Sequence, residues 1–162
     1  MKIVRLMFGL CMVWGLTILG CGSSGEIQQH ETITTVEKGN NCSFDNNSPQ
    51  VSVIRNEVEW GDFWKLLHAN LSRKPDLPLV DFSENVILSV VDISRPNGGY
   101  SIAITRIEPT SSGVTVHVSQ FSPGRYCVTA DEMTRPYHIV TTPKFVGEAT
   151  LLLSQVVHEC SP

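Results

Sequence analysis

Hydrophobic positions change their spacing along this chain, and each spacing predicts a different element. From Leu6 to Leu19 they run almost without interruption. Between Trp60 and Leu71 they recur at three and four residues: Trp60, Phe63, Trp64, Leu67, Leu71. That period sets both tryptophans and the phenylalanine on one helical face. Asn56 followed by Glu59 has the form of a capping box that opens the helix. Gly61 weakens its first turn slightly, and Pro75 and Pro78 are expected to end it. The aromatic stripe reads as core packed on a sheet.

Most of the remaining chain alternates or is continuously apolar, as strands do. Thr32–Val36 predicts a first edge strand and Val51–Arg55 a second strand. Val86–Ile93 is apolar on both faces, as a central strand is. Tyr100–Ile107, Val114–Ser119, Tyr137–Thr141 and Ala149–Val157 complete the set. Gly, Pro and Ser clusters separate these runs at Arg95–Gly99, Pro109–Gly113 and Ser122–Gly124. Connections this short predict antiparallel neighbours in meander or Greek-key order. The expected fold is mainly β, an antiparallel sandwich or open barrel with one amphipathic helix packed on it, α+β by strict count.

The N-terminal run changes the picture of where the chain works. Lys2 and Arg5 precede an apolar stretch too short to span a bilayer comfortably, and Ile18-Leu19-Gly20-Cys21 closes it. This resembles a bacterial lipoprotein signal, cut before Cys21 and lipidated on its thiol. The organisation expected is a signal peptide at 1–20, a flexible tether at 21–31 and one domain at 32–160. Gly22-Ser23-Ser24-Gly25 suits a linker. Gly22 in place of Asp after the lipidated residue favours the outer membrane, if the cell is Gram-negative. The lipid is the only membrane anchor expected.

Without the leader, 10 basic residues face 16 acidic ones, a net charge of about −6. That argues against a nucleic-acid footprint. Cys42, Cys127 and Cys160 remain as mature thiols in a compartment that permits disulfides, so one bridge and one spare thiol are expected. Chain ends often meet, which keeps Cys42–Cys160 open.

The motifs of catalysis are missing. There is no Gly-x-Ser-x-Gly elbow and no Ser-x-x-Lys at a helix start. Cys-x-x-Cys and His-x-x-x-His spacings do not occur, so no metal and no cofactor are expected. His30, His68, His117, His138 and His158 are scattered. His117 shares the Thr115/Ser119 face of its strand, and His138 reads as a satisfied core histidine. No catalytic residue is assigned.

Pro96-Asn97-Gly98-Gly99-Tyr100 stands out. Two glycines between two strong β runs predict a tight reversal with positive φ. It reads either as a hairpin turn with a packing tyrosine or as an exposed loop that meets a partner protein.

Arg95–Ile102 resembles the Pro-Thr-Gly-Gly-Tyr motif of the PrcB C-terminal domain, with Asn97 in place of Thr. Pro123-Gly124-Arg125-Tyr126-Cys127-Val128-Thr129 resembles that family's Pro-Gly-x-x-Cys-x-x-Thr segment. Pro136-Tyr137-His138-Ile139-Val140 and Pro143-Lys144 resemble its Pro-Tyr-His-Ile-Val and Pro-Lys signature. Order and rough spacing agree over about residues 83–145. The resemblance implies a non-catalytic accessory lipoprotein that stabilises a protease complex, with a subtilisin-like protease as partner. It also implies a Cys127–Cys160 bridge. One alternative is a protease inhibitor, since the 96–100 loop is similar in kind to the Pro-Thr-Thr-Gly-Tyr loop of chagasin-like inhibitors. A second is a ligand-binding lipoprotein.

Overall fold

The computed structural model describes residues 32–161. The expected leader, Cys21 and the tether at 21–31 lie outside the described residues. The chain runs β1 (Thr34–Gly39), β2 (Gln50–Ile54), α1 (Glu57–Leu67), β3 (Asn85–Val91), β4 (Ser101–Thr110), β5 (Gly113–Pro123), β6 (Tyr137–Pro143) and β7 (Glu148–His158). Two sheets stack without closing a barrel: β1-β6-β3-β2 and β4-β5-β7.

The four-stranded sheet is the middle layer. On one face Ile54, Ile87, Val91, Tyr137 and Ile139 pack against Trp60, Trp64 and Leu67 of α1. On the other, Leu88, Val90 and Val140 pack against Ile102, Ile104, Ile107, Val114, Val116 and Val118 of the second sheet. Burial on both sides explains why the β3 sequence is apolar without alternation.

The helix begins where expected. The Asn56 side chain accepts from the Glu59 amide at 3.0 Å. The reciprocal bond is displaced by one residue, since the Glu59 carboxylate accepts from the Arg55 amide. The helix ends at Leu67, well before Pro75. Ser43 explains the early stop: its amide donates to the Leu67 carbonyl, and its hydroxyl accepts from the Asn70 amide. Leu71 therefore leaves the stripe and is exposed. The proline segment covers the helix instead of ending it. The Trp60 and Trp64 indoles donate to the Pro78 and Pro75 carbonyls, at 2.9 and 3.1 Å.

One strand pair departs from the antiparallel expectation: β5 and β7 run parallel. A parallel pair needs a crossover, and the chain supplies it by leaving the second sheet after Pro123. It adds β6 to the middle sheet and then returns as β7. The first strand also begins later than expected, at Thr34.

Candidate functional site

The loop from Asp92 to Tyr100 joins β3 of the middle sheet to β4 of the second sheet. It is therefore an inter-sheet crossing and not the hairpin its glycines suggested. Its base is an ionic cluster. Asp92 is fully buried and takes two bonds from Arg95, Nε to Oδ2 at 2.9 Å and Nη2 to Oδ1 at 3.0 Å. Gln120 of β5 donates to Oδ1 at 2.7 Å, and the Ile93 amide donates to the same oxygen. Paired, hydrogen-bonded charge of this kind is stable in a core, whereas either half left alone is not. The Arg95 guanidinium also lies 5.1 Å from the Tyr100 ring centroid.

The loop is tied along its length to the segment before β6. Arg95 and Thr134 exchange backbone bonds of 2.7 and 3.0 Å. The Thr134 hydroxyl donates to the Asn97 carbonyl, and the Gly98 amide donates to the Ala130 carbonyl. The two glycines are needed for different reasons. Gly98 is buried, and a Cβ there would sit 3.3 Å from Ala130. Gly99 carries the positive φ, +87°, and its Cβ would meet the Thr129 methyl at 2.7 Å. Pro96 and Gly99 are exposed, while Asn97 and Tyr100 are half-buried.

The other motif residues hold this frame. The Gly124 amide donates to the His158 carbonyl, and Cys127 is joined to Cys160 across a Cα separation of 5.1 Å. Among the described residues Cys42 is the free thiol; burial pushes its pKa up. Pro136 accepts from the Asp92 amide. Pro143 ends β6, and the Lys144 amide donates to the Glu84 carbonyl; both side chains are exposed.

Tyr137 and His138 point to opposite faces of the middle sheet. The Tyr137 ring lies over Gly39, and its hydroxyl donates to Glu37 at 2.7 Å. Burial, with the Glu37 bond, raises the phenol pKa. His138 is a satisfied core histidine. Its Nδ1 accepts from the Ile104 amide of the second sheet at 3.0 Å, which leaves the proton on Nε2, facing the Thr35 hydroxyl. Burial, and secondarily Lys38, lowers its pKa to about 4. His138 thus pins the two sheets together.

Two clusters escaped the sequence reading. Asp92–Arg95–Gln120 was signalled only by a charged residue inside the apolar run Val86–Ile93. The other joins Glu37, His68 and Tyr137: His68 Nε2 lies 3.2 Å from the Glu37 carboxylate oxygen that Tyr137 also reaches. It borders an open cleft of about 370 Å³ with Arg73 and Lys74 on its rim. No local pattern links residues so far apart. Among the described residues, no group of His, Cys, Asp and Glu is arranged to hold a metal ion.

Around the clamped loop the same segment exposes large apolar side chains: Tyr126 at 56%, Val128 at 101% and Met133 at 71%. A fixed backbone bordered by such groups can dock a protein surface with little ordering cost. Neither a curated protein nor a solved structure gives a significant match to the chain. Residues 91–143, from the end of β3 to the end of β6, match the family model described as PrcB C-terminal, the family whose motifs the sequence resembles.

Proposed function

We propose that the chain is a non-catalytic envelope lipoprotein, acting as a protein-binding accessory subunit of a secreted protease complex. A subtilisin-like protease is the partner class. The observation that carries this reading is the Asp92–Tyr100 loop, held by Thr134 and Ala130 and flanked by exposed Tyr126, Val128 and Met133. The PrcB C-terminal match supports the partner class. Lipidation at Cys21, with outer-membrane placement in a Gram-negative cell, would hold the domain near a surface partner. Tethering raises effective concentration, so a modest intrinsic affinity suffices.

Mild crosslinking of the full lipoprotein in its own envelope tests the reading. A secreted protease should be recovered with it, and Pro96→Lys combined with Val128→Asp should abolish recovery at an unchanged melting temperature. Recovery of the lipoprotein alone would sink the proposal, as would equal recovery by the variant. The exposed, proline-initiated rigid loop also favours a second reading, protease inhibition. Purified domain at micromolar concentration should leave subtilisin-like and papain-like proteases active if it is an accessory subunit. Inhibition lost with the Pro96 variant would select the second reading.

A further inference from the structure

Among the described elements β7 is the most exposed. Among the described residues its one strand neighbour is β5, so an 11-residue edge presents unpaired backbone groups. Natural sheets shield such edges with Lys, Pro, bulges or covering segments. Here Ala149–Val157 contains no charged residue and no proline, and the register with β5 has no shift. Leu152 is 53% exposed, Leu153 36%, Val156 38% and Val157 56%.

The apolar positions are arranged about a centre. Antiparallel pairing of β7 with itself, Ser154 facing Ser154, sets Leu152 opposite Val156 on the outer face. It sets Leu151 opposite Val157 and Leu153 opposite Gln155 on the inner face. Moving the centre to residue 153 or 155 sets Leu152 against Ser154 or His158 and loses the outer match. Charge agrees with the Ser154 centre: Glu148 faces Cys160, Glu159 faces Ala149 and His158 faces Thr150, so no like charges meet.

We propose that β7 is a dimerisation strand. Two copies of this chain join their three-stranded sheets edge to edge across a two-fold axis at Ser154, making one continuous six-stranded sheet. The contact is isologous, so Leu152 with Val156 and Leu151 with Val157 each find an apolar mate on the second copy. β7 lies outside residues 91–143, and the proposal does not rest on the family match or on the accessory reading.

Ser154→Cys in the full chain tests the register. Residues opposite each other in an antiparallel pair have Cα atoms about 4.5–5.5 Å apart, inside the range a disulfide spans. Oxidation should give a covalent dimer from this variant. Ser119→Cys, one strand inward on the same face, should give none. Sedimentation equilibrium of the unaltered protein should give twice the mass of one chain. Leu152→Lys combined with Val156→Lys should return it to one. A single-chain mass for the unaltered protein at tens of micromolar overturns the proposal. So does a doubled mass that survives both lysines, or equal crosslinking from positions 119 and 154.

Discussion

The Asp92–Tyr100 loop is centred on Ser-Arg-Pro-Asn-Gly-Gly, while Leu151–Val157 of β7 carries Leu or Val at five of seven positions. Composition alone would place the loop in water and the strand in the core. The loop nevertheless buries Asp92 and Gly98 and bonds its backbone at Arg95, Asn97 and Gly98. β7 exposes most of its side chains. Burial here follows topology. The loop is trapped where the chain crosses between sheets, with the 124–136 segment laid over it. β7 arrives last in its sheet, beyond β5, with no further strand among the described residues on its far side. Rigidity without regular secondary structure suits recognition, and a regular strand without a second neighbour suits pairing.

The largest loss is expected at Asp92. Asp92→Ala strands the Arg95 guanidinium and the Gln120 amide, and removing one partner of a buried pair costs about 3–5 kcal/mol. Denaturant titration should show that loss, and an effect under 1 kcal/mol would mean the loop is not clamped. Opening Cys127–Cys160, which closes a loop with a sequence separation of 33, should remove about 3–4 kcal/mol. Cys127→Ser with Cys160→Ser reads this directly.

His138 gives a pH signature. Its folded pKa of about 4 lies below the usual value of 6.5, so between these limits the unfolded chain binds a proton that the native chain does not. Stability is complete above pH 6.5 and falls as pH drops towards 4, by about 3 kcal/mol if the full shift is realised. His138→Asn keeps an acceptor for the Ile104 amide and should flatten that window, leaving carboxylate losses at lower pH. Gly99→Val, at φ +87°, should cost about 1–3 kcal/mol through backbone strain, and more if Thr129 cannot retreat. The smallest effect belongs to β7: Leu152→Lys should change the stability of the single fold by less than about 0.5 kcal/mol, as exposed positions do.

Periodicity made the framework legible. The helix start at Asn56, the burial of Trp60, Trp64 and Leu67, and the double-sided burial of β3 all follow from local spacing. The helix end did not, because Ser43, a distant residue, caps Leu67. The β5–β7 pairing did not either, because loop length constrains sequence neighbours and says nothing of a strand that returns after visiting another sheet. The loop motif was legible as unusual. Its clamping depends on Gln120 and Thr134, whose contact with it exists only in the folded chain. The clusters at Asp92 and Glu37 share that origin.

The central claim is that the clamped loop meets a protein partner. A photo-crosslinking residue at Pro96, on the exposed tip, tests it in the native envelope. The control is the same residue at Leu79, which is 101% exposed and lies in the segment over the helix. The account predicts one dominant adduct from position 96, containing a secreted protease, and none from position 79. No adduct from position 96, or the same adducts from both, would contradict it.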